Sequence, residues 1–316
     1  MKNFSLLSVL MIAVFGVMTS CSSSDDCHEC HIALFDAAGQ ETAEVEIGEF
    51  CGDALEDVES AGYQLTEMLV GEKFGIASSK VVIEEFLDGI ELSCFVLTDG
   101  VNYKVLPTAK DYKRIGEGDT GLNTGGMGAI SPVPFANKTL LNKIEQNIII
   151  PTIEGLKKDN IEYQGFIFIG LINVNNNPKV IEYNVRMGDP ETEVVLPRIQ
   201  NDFVEIFQSF KNKTLDKIEL NIDHRSAATV VLVSGGYPSS YNKGIKITGI
   251  DHVVDSTVYH AGAIREKENI YTNGGRVLAI TSFGNNFQEA LKNSYNSASK
   301  INFKGKYYRK DLGFDL

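Results

Sequence analysis

The sequence lacks an excess of basic residues and a long apolar segment, and both absences narrow the class of protein. Lysine and arginine total 29 against 42 aspartates and glutamates, a formal net charge of -13. This balance argues against nucleic-acid binding through a broad basic surface, so any phosphate recognition must be local. No repeat of solenoid type is visible, which excludes a stacked repeat architecture.

Two common nucleotide-binding signatures are also missing. The P-loop pattern G-x-x-x-x-G-K-[ST] is absent, and no G-x-G-x-x-G stands between the strand and helix of a βαβ unit. Glycines are instead dense from Gly116 to Gly128, where backbone N–H groups can approach an anion closely. Lys110, Lys113 and Arg114 flank this segment in an acidic chain. An anion-binding loop is therefore favoured over a plain surface loop.

A second informative segment is an extended run that ends in the turn Gly188-Asp189-Pro190. Alternate strand residues share a face, which places Glu182, Asn184 and Arg186 together. A carboxylate and an amide oxygen at this spacing suit Mg²⁺, and Arg186 with the turn can clamp an anion. A solvated edge strand is the alternative for Glu182 and Asn184 alone. The other face is predicted to be structural and carries Ile181, Tyr183 and Val185.

Several segments, taken in order, resemble phosphoribosylamine–glycine ligases, also called glycinamide ribonucleotide synthetases, which are ATP-grasp enzymes. The resemblance runs from about Met68 to the C-terminus. Its motifs are Lys80-Val-Val-Ile-Glu-Glu-Phe-Leu-Asp-Gly-Ile-Glu-Leu-Ser93, Asn123-Thr-Gly-Gly-Met-Gly-Ala129, Val180-Ile-Glu-Tyr-Asn-Val-Arg-Met-Gly-Asp-Pro-Glu-Thr192, Ser234-Gly-Gly-Tyr-Pro238, Asn273-Gly-Gly-Arg-Val-Leu278 and Tyr308-Arg-Lys-Asp-Leu-Gly313.

The resemblance implies an α+β protein with a partial ATP-grasp fold at residues 67–212 and a smaller C-terminal α/β lobe at residues 213–316. It implies ATP-dependent ligation of glycine to 5-phosphoribosylamine through glycyl phosphate, which yields glycinamide ribonucleotide for purine biosynthesis. Catalysis would rest on positioning and charge neutralisation by Mg²⁺ or Mn²⁺ and by cationic side chains, without a side-chain nucleophile.

Position by position, the resemblance assigns roles to individual residues. Glu182 and Asn184 bind the metal, while Arg186 and Asp189 are catalytic. Glu91 accepts from the ribose hydroxyls. The segment that reads adenine is Glu84, Glu85, Phe86 and Leu87. The substrate-binding residues are Lys113, Asn123, Thr124, Gly125, Gly126 and Arg186.

Family members carry an N-terminal substrate domain and a first ATP-grasp subdomain ahead of the resembling region. Neither is recognisable upstream of Met68, so we expect an open nucleotide site and a severe loss of ligase activity. The hypothesis is a hybrid, in which a lipoprotein start is joined near Tyr63 to Gly71 to the back of a ligase.

The first residues predict a secretory leader. Lys2, an apolar run from Leu6 to Val17 and small residues before Cys21 are typical of a lipoprotein signal peptide at residues 1–20. The run is too short for a comfortable transmembrane helix. A membrane is therefore a partner only if Cys21 is lipidated. The leader favours a membrane-anchored location and the ligase body a cytoplasmic one, so localisation stays open.

Residues 21–66 are predicted to be a separate acidic segment. Cys27-His-Glu-Cys-His31 has the C-x-x-C-H pattern of haem attachment, and Cys27, Cys30, His31 and Cys51 could bind Zn²⁺. A disulfide in an oxidising compartment is the favoured alternative. The second functional hypothesis is therefore a surface lipoprotein with a small cysteine-based redox or metal module. Cys94 lies in an apolar run and is predicted to be a core thiol.

Hydrophobic periodicity and turn signals predict the elements of the body. Helix Lys138–Lys158 should break at Pro151, and Asp99-Gly100 should form a hairpin turn. The other predicted helices lie at 202–210 and 287–301, and the predicted strands at 81–83, 91–97, 103–106, 166–174, 179–183, 227–234 and 275–281.

Overall fold

The computed structural model describes the backbone of residues 19–24, 27–35 and 41–51, and describes residues 86–316 in full. The chain divides into two compact units, Met1–Phe86 and Leu87–Leu316. Residues 1–18 of the predicted leader, the predicted strand 81–83, Glu84 and Glu85 lie outside the described residues.

The described part of the first unit is an antiparallel sheet of three strands. These strands are β1 (Thr19–Ser24), β2 (Cys27–Phe35) and β3 (Glu41–Cys51). In the backbone register Cys21 pairs with Cys30, and Cys27 pairs with Cys51.

The second unit mixes strands and helices. Its strands are β4 (Ile90–Thr98), β5 (Tyr103–Val105), β6 (Lys110–Asp111), β7 (Arg114–Gly116), β8 (Thr120–Asn123), β9 (Gly128–Ser131), β10 (Gly165–Val174), β11 (Asn177–Asn184), β12 (Ser226–Val233), β13 (Lys246–Ile247), β14 (Thr257–His260), β15 (Ala263–Glu266), β16 (Asn269–Thr272) and β17 (Arg276–Gly284). Its α-helices are α1 (Lys138–Ile144), α2 (Ile150–Lys158), α3 (Thr192–Val195), α4 (Phe203–Lys211) and α5 (Phe287–Lys300). One π-helical turn, Glu145–Ile149, and the 3₁₀ turns Leu196–Arg198, Leu215–Lys217 and Ile250–His252 complete it.

The predicted helices and strands from residue 91 onward are confirmed. The long helix is interrupted by the π-helical turn just before Pro151, which occupies the first turn of α2. Asn137, Asp202 and Asn286 cap α1, α4 and α5, each accepting a backbone N–H near the helix start. No described helix is long and apolar enough to cross a membrane.

A four-stranded antiparallel sheet, ordered β11-β10-β4-β5, forms the centre of the first half. Helices α1 and α2 cover one face, burying residues such as Leu140, Ile144 and Ile153 against it. Apolar residues of α3 and α4 pack on the other face. Strand β4 is therefore buried on both faces, and Cys94 within it is a core thiol, as predicted.

A five-stranded sheet, ordered β14-β17-β12-β9-β6, forms the centre of the second half. Helix α5 packs against β12 and β17 through residues that include Phe287, Leu291 and Ala298. Strands β6 and β9 precede residue 213 and pair with each other, and β9 pairs with β12, which follows residue 213. Residues on both sides of residue 213 thus share one sheet and one compact unit.

The expectation of a structural apolar face on the Ile181 strand is wrong. Ile181, Tyr183 and Val185 are 41%, 51% and 72% exposed. The physical reason is that β11 lies at the edge of its sheet, and Val185 lies beyond its last residue. Tyr183 and Val185 instead border an open groove of about 510 Å³ beside α2.

Candidate active site

Polar residues from separate strands meet in a cavity of about 490 Å³. Glu91 comes from β4, Asp111 from β6, Lys113 from the following link and Asn123 from the end of β8. Lys113 Nζ lies 2.6 Å from Glu91 Oε2. The structure therefore brings together one predicted nucleotide-binding residue and two predicted substrate-binding residues.

The side chains of Glu182 and Asn184 lie next to each other at the end of β11. Asn184 Nδ2 donates to Glu182 Oε1 at 2.9 Å, and Arg186 Nη2 donates to Asn184 Oδ1 at 3.3 Å. Neighbouring oxygens around Mg²⁺ are about 3.0 Å apart when the metal–oxygen distance is 2.0–2.1 Å. A 180° rotation of the Asn184 amide exchanges its nitrogen and oxygen without changing its shape, so Asn184 can present its oxygen in place of its nitrogen. The pair therefore fits two adjacent positions on Mg²⁺.

Lys113 links the cavity to this pair through its charge. Burial by itself would lower the pKa of Lys113, but the carboxylates of Asp111, Glu91 and Glu182 raise it. The ammonium group is therefore held in its charged form among carboxylates. This cation, together with a bound metal, could offset the negative charge of a bound phosphate.

Two carboxyl groups that sequence reasoning missed lie beside Lys113. Burial, together with the charge of Glu191, raises the pKa of Asp111 to about 7. Burial also raises the pKa of Glu191, whose Oε1 accepts from the Ser93 hydroxyl at 2.9 Å. Asp111 stands next to the basic flank and Glu191 next to the predicted turn, so nearness in sequence was the available signal.

The glycine loop, defined as residues 123–128, is packed rather than open. Both the N–H and the hydroxyl of Thr124 donate to the Lys113 carbonyl at 2.7 Å. Gly126 has a φ of +116°, and a Cβ there would overlap the Cδ atom of Pro190. The loop therefore lies directly against the Gly188-Asp189-Pro190 turn.

Arg276, at the start of β17, joins this loop to that turn. Its Nη1 donates to the Gly125 carbonyl at 2.7 Å, to the Asp189 carbonyl at 2.7 Å and to Asp189 Oδ1 at 2.9 Å. Tyr237 accepts from the Gly125 N–H at 2.9 Å. Both residues stand in resembling motifs, but sequence reasoning gave them no role.

The remaining predicted residues are less closely associated with this cavity. Phe86 is 88% exposed, and Leu87 is half-buried. Arg186 Nη1 donates to the Met187 carbonyl at 2.9 Å, so part of its guanidinium supports its own turn. Asp189 is engaged by Arg276. Within the residues that the structure describes, no group of three or more His, Cys, Asp or Glu could hold a metal.

Comparison with known families matches nearly three quarters of the chain in two pieces. The phosphoribosylglycinamide synthetase ATP-grasp (A) domain matches residues 51–192, and the C domain of the same synthetase matches residues 227–315. The first match begins ahead of Met68, where the resemblance was expected to start.

Named relatives agree with this match. Phosphoribosylamine–glycine ligase of Vibrio vulnificus is 44% identical over 263 residues, which cover 82% of this chain and 61% of the relative. The enzyme of Fusobacterium nucleatum is 43% identical over 253 residues, covering 79% and 59%. The chain therefore spans less than two thirds of the length of these relatives.

Solved structures confirm the fold. Phosphoribosylamine–glycine ligase of Thermotoga maritima superposes with a TM-score of 0.70 at 35% identity, covering 84% of this chain and 65% of that one. The biotin carboxylase domain of a thermophilic 2-oxoglutarate carboxylase has a TM-score of 0.54 at 13% identity, which shows a shared fold alone. The predicted α+β class with an ATP-grasp fold is confirmed.

Proposed function

Because this chain belongs to the phosphoribosylglycinamide synthetase family, we propose that it takes part in ATP-dependent ligation of glycine to 5-phosphoribosylamine. The observation that carries this proposal is the pairing of Glu182 and Asn184 beside the Lys113 cavity. In the proposed reaction ATP phosphorylates the glycine carboxylate, and the amine of phosphoribosylamine then displaces phosphate to give glycinamide ribonucleotide.

Glu182 and Asn184 would hold Mg²⁺ or Mn²⁺. When bound, the metal would neutralise charge on the transferring phosphoryl group. Glu182 is exposed and forms no ion pair among the described residues. Its carboxylate is therefore accessible to a metal. Arg186 would release the Asn184 oxygen, since their 3.3 Å hydrogen bond is long and weak.

The cationic and hydrogen-bonding groups of the cavity would hold the substrates. Lys113 supplies the charge next to the metal pair, while Glu91 keeps Oε1 available for a ribose hydroxyl because only its Oε2 meets Lys113. The glycine loop, which begins at Asn123, would form the substrate-side wall. As the resemblance implies, the segment 84–87 would read adenine through its backbone and side chains. Catalysis then comes from placement and electrostatic stabilisation.

Calorimetry on the full chain tests the metal and nucleotide part of this proposal. Wild-type protein should bind Mg·ATP, and Glu182→Ala should weaken that binding at least tenfold because a metal ligand is lost. Glu154→Ala is the matched control, since Glu154 is exposed on α2 and makes no described hydrogen bond or ion pair. Equal binding by Glu182→Ala and Glu154→Ala would contradict the proposed metal site.

Ligation itself is tested by phosphate release that requires glycine, phosphoribosylamine and ATP together. Detectable, Glu182-dependent release is expected if the chain provides enough of the site. Binding of Mg·ATP without any release would restrict the proposed function to nucleotide binding by this chain.

We also propose, from the order of Lys2, the apolar run and Cys21, that residues 1–20 are a secretory leader and that Cys21 is lipidated. Each buried acyl CH₂ would contribute about 0.8 kcal/mol to membrane binding. The cysteine segment would then be a redox or metal module at a membrane surface. Mass spectrometry of the mature N-terminus decides this: a lipid on Cys21 supports the leader, and an intact Met1 refutes it.

A further inference from the structure

We propose that Arg276 is a positioning residue, which couples the last third of the chain to the substrate side of the site by holding the glycine loop against the Gly188-Asp189-Pro190 turn. The coupling follows from contacts alone. Its effect on substrate rests on the proposed function.

The hydrogen bonds of Arg276 converge on two segments that are distant in sequence. One guanidinium nitrogen reaches Gly125 O and both oxygens of Asp189 named above, at 2.7 to 2.9 Å. Arg276 is 151 residues from Gly125 and 87 residues from Asp189 in sequence. The guanidinium therefore joins the loop to the turn by hydrogen bonds across a large separation in sequence, in addition to the packing of Gly126 on Pro190.

The side chains around Arg276 pack closely against the glycine loop. A Cβ on Gly125 would lie 2.9 Å from Arg276 Cζ, so glycine lets the guanidinium lie directly on the loop backbone. Tyr237 closes the other side by accepting the Gly125 N–H, and its ring packs against Gly275, next to Arg276 in sequence. The loop is thus held between two residues of the second half.

The two segments that Arg276 holds lie close in sequence to residues of the proposed site. Thr124 follows Asn123 in the loop and donates twice to the Lys113 carbonyl. On the other side, Asp189 is three residues beyond Arg186. Arg276 therefore sets the relative position of the Lys113 and Arg186 sides of the site, and Asp189 serves as its acceptor rather than as an independent acid.

A purely stabilising role is not expected from the exposure of these groups. The Arg276 side chain is 22% exposed and that of Asp189 is 56% exposed. Ion pairs at this level of exposure contribute little to global stability because water screens them. Loss of Arg276 should therefore release the loop and turn while the sheets remain folded.

Hydrogen exchange of the full-length protein tests the coupling without any ligand. In Arg276→Ala, exchange at the amides of Thr124, Gly125 and Gly126 should rise at least tenfold, while exchange in β4 and β10 stays within twofold. Arg276→Lys should restore part of the protection because it keeps one donor. Arg265→Ala, which removes an exposed arginine from β15 of the same half, should change nothing.

Unchanged exchange in the loop would overturn the proposal, because Arg276 would then not hold it. Increased exchange across β4 and β10 would also overturn it, because the role would then be general stability. Asp189→Asn should give a smaller increase than Arg276→Ala, since the Asp189 carbonyl still accepts.

Ligand affinities separate this proposal from the proposed function. Arg276→Ala should weaken binding of glycinamide ribonucleotide at least tenfold and leave Mg·ATP affinity within twofold, with partial rescue by Arg276→Lys. Equal weakening of both ligands would refute the substrate-side assignment. If the wild-type chain binds neither ligand, the proposed function fails, and the exchange experiment still decides the coupling.

Discussion

Replacing Gly126 by alanine should destabilise the second unit through both a backbone cost and a steric cost. The backbone at Gly126 has a φ of +116°, which costs an alanine about 1–2 kcal/mol. The added Cβ would also overlap Pro190 Cδ and lie 3.1 Å from Pro190 Cγ. Forcing an extra methyl group into a packed contact costs about 1–3 kcal/mol. We therefore expect a loss of roughly 2–5 kcal/mol.

Two other glycines separate the backbone cost from the steric cost. Gly118 has a φ of +64° and nothing within 4 Å of an added Cβ, so Gly118→Ala should lose only about 1–2 kcal/mol. Gly155 lies in α2, also with open space around the Cβ. Gly155→Ala should gain about 0.5–1 kcal/mol because alanine favours the helix.

Urea and thermal unfolding of the full-length variants measure these differences. A loss of 1 kcal/mol lowers the Tm of a unit of this size by about 2–4 °C, so Gly126→Ala should melt roughly 4–20 °C below wild type. An effect of Gly126→Ala no larger than that of Gly118→Ala would refute the close packing of the loop on Pro190.

Three further predictions use other parts of the second unit. Burial raises the pKa of Asp111 in the folded protein to about 7, above an unfolded value of 3.8, so the stability of the protein should fall as pH rises between these two values. In a series of thermal scans, Asp111→Asn should therefore melt at a higher temperature than wild type at pH 8 and at the same temperature near pH 4. Arg309 is fully buried and lies 2.5 Å from Asp119 and 2.7 Å from Asp311. Arg309→Met should cost about 1.5–3 kcal/mol in urea unfolding, because hydrogen bonds between charged groups are lost while the partly exposed carboxylates can be hydrated. A loss below about 1 kcal/mol would contradict this. Burial raises the pKa of Cys94 to about 12, so iodoacetamide should modify it only after unfolding, and labelling of the native protein detected by peptide mass spectrometry would show that the thiol is accessible.

Local sequence patterns determined the strand that carries Glu182 and Asn184. Alternation along β11 placed Glu182 and Asn184 on one face, and the structure finds their side chains 2.9 Å apart. A turn signal also predicted the hairpin at Asp99-Gly100, and hydrophobic periodicity predicted the helix at residues 202–210. These features were predictable because each depends on residues within a few positions of one another.

The same alternation did not predict what lies against each face. It assigned Ile181, Tyr183 and Val185 to a structural face, but all three are exposed at a sheet edge. The two-residue alternation of a strand indicates which side chains lie on the same face. It contains no information about which neighbouring element covers that face. Burial is therefore decided by the order of strands in the sheet.

The sequence by itself determined the family, the α+β class and the acid–amide pair, because these depend on motif order and on short-range geometry. Only the tertiary structure decided that Arg276 holds Gly125 and Asp189 together, and that Asp111 and Glu191 share the surroundings of Lys113. Arg276 lies 151 residues from Gly125 and 87 residues from Asp189, and Glu191 is also distant in sequence from Lys113 and Asp111. Charge, burial and hydrogen bonding act through space, so their effects appear only once the strands have assembled.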